Sequence, residues 1–193
     1  MASIKGIKLT GIQSHPGAEG YTLYAKVNMD NKVVGFVRDD AWGGPWEIEL
    51  SKEVREEILR RYRAYIKEHR IVDELVTMTM TEDEVAAGLA AGTLPLLDTE
   101  GEQFVDPLEM FFSEVAQLAD YEKTYKKQTK KGYAGIAVVD YLRHRGPVPV
   151  SGIYGLKSRN RLAIGQQIDD LASKKSKAYR AAVYLDPEDF IIR

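Results

Sequence analysis

In the first fifty residues the apolar positions recur every second residue. Tyr21, Leu23, Ala25, Val27 and Met29 fall on one face of an extended segment, which predicts a strand over Tyr21–Met29. Asp30-Asn31 is a pair that tolerates left-handed backbone, and Lys32–Arg38 returns as the second arm of a hairpin. Ile4–Ile12 reads as a strand before the hairpin and Trp46–Leu50 as a short one after it. Gln13–Gly20 and Asp39–Pro45 read as loops, punctuated by Pro and Gly.

The period then changes. Val54, Ile58, Tyr62 and Ile66 recur every four residues and make the apolar stripe of a helix capped by Ser51 and running to about His69. Thr81-Glu82-Asp83-Glu84 is a capping box, so a short helix is expected to about Ala91, with Gly92 as its stop. Leu94–Leu97 and Gln103–Val105 flank a turn and form either a small hairpin or an ordered loop. Asp106-Pro107-Leu108-Glu109 starts a longer helix, with an N-cap, Pro at the first helical position and Glu two residues on. Leu108, Phe111, Phe112, Val115, Leu118 and Ala119 give it a wide apolar face, and it is expected to reach about Lys131 before Gly132. Strands are expected over Tyr133–Leu142, Val150–Lys157 and Ala178–Leu185. Between the last two, Ser158 is expected to cap a helix with Leu162, Ile168 and Leu171 inward. A final helical turn from Asp186 is expected to be packed down by Phe190, Ile191 and Ile192.

Strands adjacent in sequence favour antiparallel pairing, so the fold class is α+β. The expected organisation is a sheet-and-helix module over 1–70, an acidic helical and loop connector over 71–105, and an αββαβ module over 106–193.

Composition adds exclusions. The chain has no cysteine, which removes disulfides, thiolate zinc sites and cysteine nucleophiles. His15, His69 and His144 are too scattered for a metal-binding helix motif, so no metal and no cofactor is expected. No run of about 18 apolar residues and no secretory h-region is visible, which points to a cytoplasmic protein without a membrane partner. Charge is segregated along the chain. Residues 71–122 hold 13 acids and no Lys or Arg, whereas residues 123–180 hold 14 Lys or Arg and 3 acids. Such blocks either attract one another or present two surfaces of opposite sign.

Three groups of side chains are candidates for contact. In Asp39-Asp40-Ala41-Trp42-Gly43-Gly44-Pro45-Trp46, two acids and two tryptophans flank a Gly-Gly hinge, and Trp is enriched at binding hot spots. The alternative is a turn whose tryptophans cover a sheet edge. The acidic block has the charge to occupy a basic nucleic-acid channel, or else forms a solvated face. The third group is basic. It comprises the helical stripe Arg60, Arg63 and Lys67 with Arg70, then Lys127 and Lys130 at a helix end, Arg143 and Arg145 in a loop, and Lys174, Lys175 and Lys177. Tyr121, Tyr125, Tyr133 and Tyr179 are interleaved. These groups suit phosphates and bases, or simply face water. No P-loop, GxGxxG or GxSxG motif accompanies them, so no enzyme is expected, short of a carboxylate or metal site assembled only by folding.

Gly6–Leu50, with its Asp39-Asp40 and Gly43-Gly44 turn, resembles small proteins of phages and mobile elements in Gram-positive gut bacteria. Tyr121–Val139 and the ending Leu185–Arg193 are similar to the C-terminal half of the same group. The resemblance implies an inhibitor of host defence, such as a type II anti-CRISPR protein. Its partner would be a CRISPR effector nuclease or another nucleoprotein complex. The alternative is a DNA- or RNA-binding accessory protein of a phage or plasmid.

Overall fold

The structure is a computed structural model, and it describes residues 1–17, 22–73, 77, 79–100, 105–141, 150–172 and 179–193. The fold is α+β, with two separate sheets and four α-helices among the described residues. The chain forms two compact units. The first joins Met1–His69, Thr99–Glu122 and Phe190–Arg193; the second joins Arg70–Asp98 and Lys123–Asp189. Both units are therefore discontinuous in sequence, unlike the three consecutive segments expected. Local patterning reports where elements start and stop, but not which distant segments share a core.

The first unit is built on a six-stranded sheet in the order β5-β4-β3-β2-β1-β9. The strands are β1 (Ser3–Ile4), β2 (Ile7–Gln13), β3 (Leu23–Met29), β4 (Lys32–Asp39), β5 (Glu47–Leu50) and β9 (Ile191–Ile192). The single strand expected over Ile4–Ile12 is broken at Lys5-Gly6, where φ is 50° and 77°, so that β1 folds back on β2. Asp30 and Asn31, with φ of 51° and 69°, make the hairpin turn that the sequence predicts between β3 and β4. Neighbouring strands are antiparallel except β9, which lies parallel to β1. The C-terminal residues thus depart from the expected packing. Phe190 ends a 3-10 turn over Pro187–Phe190 and is fully buried, whereas Ile191 joins the sheet edge and remains exposed.

Helix α1 (Lys52–His69) begins where the Ser51 hydroxyl accepts from the Val54 N–H. It buries Ile58, Tyr62, Tyr65 and Ile66. Helix α3 (Pro107–Thr129) is capped by Asp106, whose carboxylate accepts from the Leu108 N–H at 2.8 Å. Its residues Leu108, Phe111, Phe112, Val115 and Leu118 are buried, and the Phe111 ring packs on Tyr62 and Phe112.

In the second unit, α2 (Glu82–Ala91) carries the predicted capping box of Thr81 and Glu84 and ends at Gly92, with φ of 66°. Leu96 forms an isolated antiparallel bridge to Val72, and residues 103 and 104 of the expected hairpin or loop lie outside the described residues. The three-stranded sheet runs β7 (Val150–Leu156), β6 (Gly135–Tyr141), β8 (Tyr179–Tyr184). One face packs Ala137, Val139, Tyr141 and Leu156 on Ile164, Ile168 and Ala172 of α4 (Arg161–Ala172). That helix is capped by Asn160, not by the expected Ser158. The Asn160 side-chain oxygen accepts from Leu162 and Ala163, while Ser158 accepts one step earlier, from Asn160. The buried stripe is Ile164, Ile168 and Ala172, and Leu162, two residues before Ile164, falls on the opposite face at 73% exposure instead of lying inward.

Candidate functional site

The strands of the first unit position the most distinctive surface. Alternation sends Ala25 and Val27 of β3 and Val37 of β4 into the core, each at 0% exposure. The same alternation sends Tyr24, Lys26, Phe36 and Arg38 outward. Tyr24 lies opposite Arg38 and Lys26 opposite Phe36. On the other side of β3, Gln13 lies opposite Tyr24, Thr10 opposite Lys26 and Lys8 opposite Asn28. Tyr24 and Phe36 are diagonal neighbours, and their rings stack with centroids 6.0 Å apart. Asn28 is buried on this side, and its amide donates to the Thr10 hydroxyl at 2.6 Å.

Two irregularities create this face. The register between β3 and β4 slips by one residue after Asn28↔Val33, so that Val27 faces Gly35. Continued without the slip from the Asp30-Asn31 turn, the register would set Phe36 opposite Ala25, on the core face. The extra residue instead turns Phe36 and Arg38 outward and Val37 inward. Gly35 is required because a side chain there would collide with the Glu49 carbonyl of β5. The second slip lies between Thr10 and Gln13 of β2, where Gly11 has φ of 62°, and it brings Gln13 beside Tyr24.

At the Tyr24 end the sheet opens into a cleft of about 280 Å³ lined by Gln13, His15, Tyr24, Arg38, Asp39 and Trp42, together with Thr22, Leu23 and Asp40. Its walls are tied by local bonds. Thr22 donates its N–H to the His15 carbonyl at 2.8 Å, and its hydroxyl accepts from the His15 N–H at 3.1 Å. Asp39 accepts from the Ala41 N–H at 2.8 Å and Asp40 from the Trp42 N–H at 3.1 Å. Both acids therefore shape the loop as Asx turns. This holds Ala41 buried at φ of 57° and leaves the Trp42 ring 72% exposed at the cleft rim.

The sequence candidates divide accordingly. Asp39, Asp40 and Trp42 come together in the cleft. Trp46 is half-buried and tied elsewhere, its N–H donating to Glu109 at 2.7 Å. Arg60 is held by both oxygens of Glu57 at 2.7 Å, and Arg63 reaches Glu100 at 3.4 Å and the Thr99 hydroxyl at 3.3 Å. Lys67 is exposed further along α1. Lys127 and Lys130 are exposed at the end of α3, in the second unit. Arg143, Arg145, Lys174, Lys175 and Lys177 lie outside the described residues.

The acidic block is partly consumed by the fold. Glu114 accepts from the buried Tyr62 hydroxyl at 2.7 Å, and burial together with this carboxylate pushes the phenol far above its ordinary range. Glu122 is buried and accepts from the Ala2 N–H at 2.8 Å. Asp106 lies 3.7 Å from Arg55. These partners come from the first seventy residues. No three His, Asp or Glu among the described residues gather as they would around a metal ion, and no helix there is long and apolar enough to cross a membrane.

Sequence reasoning missed Tyr24, Phe36, Arg38, Lys26 and Gln13. The alternation of β3 marks Tyr24 and Lys26 as outward, but their pairing with Phe36 and Arg38 depends on the bulge. Comparison with family models, with curated proteins and with solved structures gives no match.

Proposed function

We propose that the protein acts by binding, without chemistry of its own, and that its target is a nucleoprotein complex. A guide-loaded CRISPR effector nuclease is the target to which the resemblance of Gly6–Leu50 points. The observation that carries the reading is Trp42. A tryptophan 72% exposed is costly to leave in water, and Asp40 holds the backbone of this one at the rim of a cleft that also holds Tyr24 and Arg38. Aromatic and arginine side chains in one concave patch are the usual anchors of an interface.

The test is capture of a guide-loaded nuclease from a bacterial lysate at physiological salt, with and without digestion of nucleic acid. Capture by the wild type and a loss of about tenfold or more in Trp42→Ala, at unchanged thermal stability, is the expected result. Equal capture by Trp42→Ala would remove the cleft from the account.

The second unit favours a second reading, a nucleic-acid-binding accessory protein. Lys127, Lys130 and Lys131 crowd the end of α3 beside the exposed Tyr133. On that reading the lysate yields heterogeneous nucleic acid that is released at high salt.

A further inference from the structure

The outward face of β2–β4 combines features that a protein partner does not require. The side chains that point outward there are Lys8, Thr10, Gln13, Tyr24, Lys26, Val33, Phe36 and Arg38, while Asn28 on the same side is buried and donates to Thr10. Three are cations, two are aromatic, and none is a carboxylate. The acids of these strands' outward side, Glu47 and Glu49, lie on β5, and Asp39 and Asp40 of the cleft are engaged by the backbone N–H groups of Ala41 and Trp42. Arg38 is 3.6 Å from Glu47, but both side chains are mostly exposed, so the pair is weak and open to exchange. Lys8 donates to the neutral Asn31 amide oxygen at 2.7 Å. Lys26 projects beside Phe36 between the two rows of polar groups.

Rings lying on a sheet surface with cations between them match the chemistry of an unpaired nucleic-acid strand. Every base has an apolar π-face to stack on an aromatic side chain, and every phosphate needs a cation a few ångströms away. A duplex hides its base faces and would gain nothing from Tyr24. We infer that the β2–β4 face binds single-stranded nucleic acid, with a base stacked on Tyr24, a neighbouring one against Trp42 at the cleft, and phosphates on Lys8, Lys26 and Arg38. Strands about 4.8 Å apart give the platform room for roughly two or three bases. Gln13 and Thr10 supply side-chain hydrogen bonds to base edges without strong sequence preference. The inference rests on the nucleoprotein reading above and names the component of that target which this face touches.

The experiment is a fluorescence-anisotropy titration of the whole protein into end-labelled oligouridine and oligodeoxythymidine of about ten nucleotides. A duplex of the same length is the comparison. Saturable binding of either single strand, tighter than the duplex and weakening steeply with added salt, is expected. Tyr24→Ala and Lys26→Glu should each weaken it by about tenfold or more, while Lys52→Glu, the same charge change on the exposed start of α1, should leave it within about twofold. Circular dichroism and melting confirm that each variant folds. If Tyr24→Ala proves unfolded, Tyr24→Leu, which keeps the bulk and removes the stacking ring, makes the same test. RNA-only or DNA-only binding through Tyr24 also supports the inference and identifies the strand. Absence of saturable binding, or wild-type affinity in folded Tyr24→Ala or Tyr24→Leu, overturns it. If the nuclease complex is captured yet neither oligonucleotide binds, the nucleoprotein reading stands and this inference falls. If an oligonucleotide binds through Tyr24 and no nucleoprotein is captured, the inference stands alone.

Discussion

β3 and β6 are both central strands, one in each unit, and they are buried in different ways. In β6 the five residues Gly135–Val139 are all buried, so both faces of the strand are covered. In β3 burial alternates through Tyr24, Ala25, Lys26 and Val27, so only one face is covered. A strand buried on both sides serves the core alone. A strand buried on one side offers a second face, and in β3 that face carries a stacked tyrosine and a lysine rather than a scatter of small polar groups. On the proposed reading recognition falls to the first unit's sheet, while the burial of β6 on both faces places it in the core.

In β6, neighbouring positions should both be sensitive. Ile136→Ala should cost about 2–5 kcal/mol, and Val139→Ala on the opposite face should also be clearly destabilising, measured by chemical denaturation. If one of the two proves neutral, β6 is one-sided after all.

Next in size is Arg61, which ties the turns of the first sheet to α1. Its guanidinium donates to the Lys5 carbonyl at 2.9 Å, to both oxygens of Asp30 at 2.7 and 2.8 Å, and to Glu57 at 2.7 Å. Arg61→Ala should cost about 1–3 kcal/mol in the same measurement. A neutral result would mean that the β1–β2 and β3–β4 turns need no fastening.

The same cluster predicts an acid dependence. Arg60 and Arg61 draw the Glu57 carboxyl down to about 2, and Arg61 lowers Asp30. Both carboxyls are depressed in the folded state, so their contribution is complete above the ordinary values of 4.5 and 3.8. It is lost as pH falls from there towards about 2. The melting temperature should fall across that window, less steeply in Glu57→Gln than in the wild type. Identical slopes would remove Glu57 from the acid response.

The smallest effects belong to the outward face of β3. Tyr24→Ala and Lys26→Ala should change stability by less than about 1 kcal/mol, against a large loss from polar replacement of the adjacent Val27. Strong destabilisation by Lys26→Ala would make the outward face part of the core's support.

Much of this was legible in the sequence. The capping box at Thr81, the Asp106-Pro107 start, the Asp30-Asn31 turn and the four-residue stripe of α1 are short-range signals, and the backbone follows them. Long-range pairings were not legible. The parallel docking of Ile191–Ile192 on β1 joins opposite ends of the chain, and no local pattern encodes it. Of the candidate site, the sequence marks Asp39, Asp40 and Trp42, whose Asx turns are local. Tyr24, Phe36 and Arg38 converge only because one extra residue in β4 reverses which side faces the core, and periodicity alone cannot place a bulge. Arg60 and Arg63 are a local helical signal of another kind: periodicity sets them on one stripe, but not the acids beside them, Glu57 at 2.7 Å and Glu100 at 3.4 Å.

The most direct measurement is a residue-resolved amide NMR map of the protein with and without single-stranded oligouridine. Shifts are expected to concentrate on Gln13, Tyr24, Lys26, Phe36, Arg38 and the Trp42 indole. Shifts centred instead on Lys127, Lys130 and Tyr133, or none at saturating oligonucleotide, would contradict single-strand binding at the β2–β4 face.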